Sequence, residues 1–119
     1  MIMNVDEKPE TLDGKLGRLQ NDYLELMQAC LTGSIYRDAS QAPFGSNTFD
    51  SRLREHGLDW PAQAQTMIGT KRIVNLRTLT ESIISDNVPG DFIETGVWRG
   101  GACILMRAVL YAHGITNRC

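Results

Sequence analysis

The residues best suited to ligand chemistry lie in one run, Glu94-Thr95-Gly96-Val97-Trp98-Arg99-Gly100-Gly101. A short apolar segment bounded by glycines, Asp91-Phe92-Ile93-Glu94-Thr95, leads into it, and Ala102, Leu105, Met106, Val109 and Ala112 follow at helical spacing. The pattern predicts a strand over 91–95, a glycine turn, and a helix from Ala102 closed by Gly114. Glycines between a strand and a helix start let backbone N–H groups approach a ligand that a Cβ would hold away. Spacing then separates the ligands. A phosphate-binding P-loop requires GxxxxGK[ST], and no Lys-Ser or Lys-Thr follows Gly101. A dinucleotide fingerprint requires GxGxxG, and Trp98 occupies the position of its second glycine. An acidic residue at the strand end, with Gly96 two residues on and further glycines at the helix start, suits S-adenosylmethionine, which has no pyrophosphate to clamp. Glu94 would face its α-amino group and loop N–H groups its α-carboxylate. The same residues also read as a tight strand–helix turn beside a solvated Glu94.

The elements that must position this run are mostly helical. Leu12, Leu16, Leu19, Tyr23, Leu26 or Met27, and Cys30 recur every three or four residues, predicting an amphipathic helix with these positions on its core face. Gly14 and Gly17 weaken its first turns, so its firm part is expected over 21–31, with Gly33 as the left-handed residue beyond its end. Residues 34–46 read as loop, and a short helix is expected over 49–56, ended by Gly57. Asp59-Trp60-Pro61 is a helix-start signal. Met67, Ile68, Ile73, Leu76, Leu79, Ile83 and Ile84 continue at helical spacing, with a break at Gly69, Thr70 as a possible cap, and a long helix over 71–86. Asn87-Val88-Pro89-Gly90 is a turn. Residues 1–10 are expected to fray, and 115–119 to lead toward another strand.

Composition narrows the function classes. The 119 residues carry 12 Lys plus Arg against 14 Asp plus Glu, a formal charge of −2. That balance disfavours a nucleic-acid or anionic-membrane binder. The longest apolar runs fall far short of a membrane span, and the polar N-terminus does not resemble a signal peptide. The expected location is cytoplasmic. Cys30, Cys103 and Cys119 show no CxxC spacing and His56 and His113 lie far apart, so three reduced thiols are expected rather than a zinc site or disulfides. Lys71, Arg72 and Arg77 read as a solvated helix face, Arg99 as either a contact to a ligand carboxylate or an exposed or structural helix-start arginine, and both histidines as surface residues near helix ends. Trp98 either shields a cofactor or packs beneath a lid.

Several segments together resemble one family. Cys30-Leu31-Thr32-Gly33-Ser34-Ile35-Tyr36, Asp59-Trp60-Pro61, Thr66-Met67-Ile68-Gly69, the run from Val88 to Gly101, and Met106-Arg107-Ala108-Val109-Leu110 are similar to the macrocin O-methyltransferase family, over roughly residues 20–118. Its members methylate sugar hydroxyls on macrolides and related natural products. The resemblance implies an α/β, Rossmann-like methyltransferase fold using S-adenosylmethionine and magnesium, here in truncated form: mostly helical, with one strand. It implies a helical lid region over 1–60, to which Tyr36 and Phe44 could belong, and the first part of the cofactor domain over 61–119. Glu94, Thr95, Gly96, Val97 and Trp98 match the family's first cofactor loop. Met67 and Thr70 lie on the segment expected to close over the cofactor, and Ala102 faces it from the helix start.

Family members are considerably longer, and their later strands carry the ribose-binding acid, the metal ligands and the acceptor pocket. No residue here is therefore assigned a catalytic or metal role, and Asp86 and Asp91 read as solvated or capping. The expected function is that of a fragment of a sugar O-methyltransferase, inactive alone and holding the cofactor no tighter than about millimolar. The partner is a glycosylated natural product in the intact enzyme. The alternatives are a helical binding or oligomerisation module with a relic loop, or one half of a split methyltransferase. A lone strand with both edges open predicts a marginal, partly molten or self-associating chain, or one completed by its missing C-terminal half.

Overall fold

The computed structural model describes residues 8–119, so the expected fraying of residues 1–7 lies outside the described residues. Four helices follow in chain order: α1 (Leu12–Leu31), α2 (Ser51–His56), α3 (Thr70–Ser85) and α4 (Gly101–Ala112). Each begins or ends where local chemistry directs it. The Thr11 hydroxyl accepts the Gly14 N–H at 3.1 Å and starts α1. The Asp50 carboxylate accepts the N–H groups of Arg52 (2.8 Å) and Leu53 (3.2 Å), and Gly57 in the left-handed conformation closes α2.

Helices α1, α3 and α4 meet in one core, where Leu24 and Leu31 pack with Ile73, Leu105, Ala108 and Val109. Helix α4 is the central element, with Leu105, Met106, Ala108, Val109 and Leu110 all buried. The molecule is a plate: its principal extents are 55 × 49 × 17 Å and its radius of gyration is 17.3 Å. A compact chain of this length would have a radius near ~13.5 Å. Its accessible surface is 8325 Å², where a closed globule of this mass exposes about 6,450 Å².

Four expectations are corrected. The 91–95 segment is extended but is not a strand. Among the described residues the sole ladder-type pairing is an isolated antiparallel bridge, Ser40 to Pro61. A strand needs a neighbour for its N–H and C=O groups. Here the Phe92 N–H finds only the Cys119 carbonyl (2.8 Å), and the Cys119 N–H returns to Asp91 Oδ1 (2.9 Å).

Pro61 starts no helix: residues 61–69 run as irregular backbone, because their N–H groups are taken by distant acceptors rather than by local carbonyls. Thr70 does not cap α3; it is the first helical residue, and Gly69 holds the cap position without a side-chain bond.

The expected apolar stripe of α1 meets the core only in part, through Tyr23 and Met27. Leu24, Gln28 and Leu31 are buried, whereas Leu12, Leu16, Leu19 and Leu26 are exposed. The helix does run from Leu12 through both glycines. The long helix of 71–86 and the short one ending at Gly57 form within a residue or two of the expected bounds.

Candidate functional site

The glycine run is held by backbone contacts at both ends. The Gly96 N–H donates to Glu94 Oε1 (3.2 Å) and the Gly100 N–H to the Val97 carbonyl (2.8 Å). Trp98 (φ 49°) and Gly100 (φ 86°) adopt positive φ, which turns the chain sharply into α4. The Gly101 N–H donates to the Gln65 carbonyl at 2.9 Å, and a Cβ at Gly101 would sit 2.6 Å from that same oxygen. Glycine is therefore required there for close approach of α4 to the 61–66 segment.

Arg99 binds the same segment. Its Nη1 donates to the carbonyls of Pro61 (3.1 Å) and Ala64 (3.0 Å), and its guanidinium lies 4.2 Å from the centre of the Trp98 ring. Its role is thus structural, one of the two readings of the sequence.

The 61–66 segment is in turn fixed from the other side. The Asp38 carboxylate accepts the N–H groups of Gln63 (2.9 Å) and Ala64 (2.8 Å), and the Leu31 carbonyl accepts those of Gln65 and Thr66, both at 3.1 Å. Behind it lies a fully buried ion pair. Arg54 Nη2 is 2.8 Å from Asp59 Oδ2, and the guanidinium also donates to the carbonyls of Thr32 (2.8 Å) and Asp38 (2.7 Å). Burial is affordable because every face of the guanidinium fork finds an acceptor. Tyr36, nearby on the loop, has its phenol pKa raised by partial burial, with the Asp38 charge adding to it.

These supports shape a cleft of about 600 Å³ between α3, residues 66–68, the glycine run and the start of α4. Six of the eight sequence-predicted residues line it: Met67, Glu94, Gly96, Val97, Trp98 and Ala102. Thr70 and Thr95 do not. Sequence reasoning missed Arg72, Asn75 and Leu76, which line the cleft from α3 at i, i+3 and i+4. Arg72, grouped with Lys71 and Arg77 as a solvated face, is exposed as expected, as is Lys71, and it also borders the cleft. Arg77 is itself largely covered, donating to Glu81 (3.1 Å) and to Asn21 on α1 (2.8 Å). His56 is exposed at the end of α2, whereas His113 is half-buried, its Nε2 lying 3.5 Å from Glu81 Oε1.

The cleft suits a ligand with an amino-acid head. It offers one carboxylate, one guanidinium, an amide and an apolar floor. The N–H groups of Ala102 and Cys103, in the first turn of α4, have no acceptor among the described residues. S-adenosylmethionine fits this donor set. Magnesium does not: among the described residues no three His, Cys, Asp or Glu side chains gather as a metal site. The three cysteines are unpaired thiols. No helix among the described residues is long and apolar enough to cross a membrane.

Comparison with known proteins agrees with the resemblance. The family description "Macrocin-O-methyltransferase (TylF)" matches residues 39–119. The demethyldecarbamoylnovobiocin O-methyltransferase of Streptomyces niveus is 50% identical over 99 residues, covering 81% of this chain and 38% of that enzyme. The 8-demethyl-8-(2,3-dimethoxy-alpha-L-rhamnosyl)-tetracenomycin-C 4'-O-methyltransferase of Streptomyces olivaceus is 54% identical over 99 residues, covering 81% and 37%. The solved structure of the O-methyltransferase NovP superposes with a TM-score of 0.78 at 49% identity, over 83% of this chain and 39% of that one. The chain thus spans less than two fifths of the length of these relatives. By the extent of the family match and the identity of its relatives, the chain belongs to the macrocin O-methyltransferase family.

Proposed function

We propose that this chain carries the first cofactor loop and one wall of the cofactor cleft of an S-adenosylmethionine-dependent O-methyltransferase, acting on a sugar hydroxyl of a glycosylated natural product. Residues 1–60 form the lid region of that enzyme and 61–119 the opening part of its Rossmann-like domain. The observation that carries the reading is the convergence of Met67, Glu94, Gly96, Val97, Trp98 and Ala102 on one cleft, although Met67 lies far from the others in sequence.

When bound, the cofactor supplies a sulfonium methyl group for transfer to an oxygen nucleophile. This chain's residues hold and orient it. Glu94 accepts from the α-ammonium, the free N–H groups at the start of α4 donate to the carboxylate, and Trp98 closes the cleft mouth. Thr70 and Thr95, the other two residues expected at the cofactor, do not line the cleft. No residue of this chain is assigned removal of the acceptor's proton, and inactivity of the chain alone is part of this proposal.

A second reading is favoured by the 8325 Å² of exposed surface. It holds that a second copy, or a separately encoded half of a split methyltransferase, covers the plate.

The cofactor reading is tested by nuclear magnetic resonance of the ¹⁵N-labelled chain titrated with S-adenosylmethionine to about 10 mM, a range that reads millimolar binding. Amide shifts confined to residues 66–76 and 94–103 are expected. Absence of shifts there would overturn the reading.

A further inference from the structure

Among the residues that line the cleft, Arg72 is the sole cation and Glu94 the sole anion. They stand on different elements, Arg72 in the first turn of α3 and Glu94 in the run before α4. The guanidinium of Arg72 has no hydrogen bond or salt bridge to any described residue. The neighbouring arginines do: Arg54 to Asp59, Arg77 to Glu81 and Asn21, Arg99 to two carbonyls. Glu94, which lines the cleft, accepts only the Gly96 N–H, through one oxygen, and its other oxygen has no partner among the described residues. Asn75, one turn beyond Arg72 on the same face of α3, adds an amide that both donates and accepts.

We infer that Arg72 is a specificity-determining residue that binds the α-carboxylate of the cofactor's amino-acid head while Glu94 binds its α-ammonium. The inference rests on the cofactor reading above and adds to it the α3 side of the site. A planar guanidinium matches a carboxylate with two parallel N–H···O bonds and adds a full positive charge to the N–H groups at the start of α4. A zwitterion between one cation and one anion is selected over ligands that carry the nucleoside without the amino acid. The cleft would thus discriminate S-adenosylmethionine and S-adenosylhomocysteine from adenosine thioethers that lack the amino acid.

The test compares the wild-type chain with Arg72→Met, Arg72→Lys and Glu94→Gln by amide-shift titration. Three ligands are used: S-adenosylhomocysteine, decarboxylated S-adenosylmethionine and methylthioadenosine. Helical circular dichroism confirms that each variant keeps its fold. Arg72→Met is expected to raise the S-adenosylhomocysteine midpoint about tenfold, as loss of a charge-assisted pair does. It should leave methylthioadenosine and the decarboxylated ligand within about twofold. Arg72→Lys is expected to recover part of the loss, and Glu94→Gln to weaken both ligands that keep the ammonium. Wild-type and Arg72→Met chains with equal S-adenosylhomocysteine midpoints would overturn the inference while leaving the cofactor reading intact. A wild-type chain that shows no shift in the cleft with any of the three would overturn both.

Discussion

Arg54 and Asp59 form an ion pair with both side chains 1% exposed, Nη2 to Oδ2 at 2.8 Å, and the same guanidinium ties down the carbonyls of Thr32 and Asp38. Removing one partner leaves a buried charge without compensation, so Arg54→Met or Asp59→Asn is expected to destabilise the chain by about 3–5 kcal/mol. Replacing both by apolar residues should cost less than either single change. Chemical unfolding followed by circular dichroism measures this; single variants with the wild-type midpoint would contradict the role given to the pair.

Two glycines are expected to respond to alanine with opposite signs. At Gly101 a Cβ meets the Gln65 carbonyl and the Thr66 side chain, so Gly101→Ala should destabilise by about 1–3 kcal/mol through overpacking. At Gly17, inside α1, nothing lies within 4 Å of the added Cβ, and Gly17→Ala should stabilise by about 0.5–1 kcal/mol. Thermal unfolding of the two variants side by side checks the pair of signs.

Arg99 joins the glycine run to the cleft wall through the Pro61 and Ala64 carbonyls. Arg99→Ala is expected to cost about 1.5–3 kcal/mol, the worth of a hydrogen bond to a charged group. Hydrogen exchange should rise together in residues 61–66 and 95–101. Faster exchange in only one of these segments would show that Arg99 does not couple them.

The plate leaves apolar side chains uncovered on α1 and α4, with Leu12 and Tyr111 both 72% exposed. Faces of this kind associate in water. Sedimentation is expected to show concentration-dependent self-association, reduced by Leu16→Lys with Leu19→Lys, and guanidinium unfolding to be broad. A clean monomer with one sharp cooperative transition would contradict this.

Helices with strong local signals were legible in the sequence. Asp50 and Gly57 frame α2, and the apolar period from Ile73 to Ile84 marks α3, because caps and periodicity are local. The glycine run was legible from its local spacing and Met67 through the family resemblance, and both border the cleft. Other features depend on partners distant in the chain. Pro61 carried a helix-start signal, yet Asp38 and Leu31 take the N–H groups of residues 63–66. The 91–95 segment has strand composition, but pairing is a property of two segments, and among the described residues only Cys119 bonds beside it, without forming a ladder. Of the apolar stripe of α1, Tyr23 and Met27 meet the core while Leu12, Leu16, Leu19 and Leu26 do not, because periodicity names a stripe and not what covers it. Arg72 was read as solvated and is exposed; that it also borders the cleft depends on how α3 packs against α4.

The central claim is that the cleft beside the glycine run holds the cofactor. Intermolecular nuclear Overhauser effects from S-adenosylmethionine protons report it most directly. The account predicts contacts to the Met67, Val97 and Ala102 methyl groups. Contacts instead to Tyr23, Ile104 and Tyr111, which line the separate groove between α1 and α4, would contradict it.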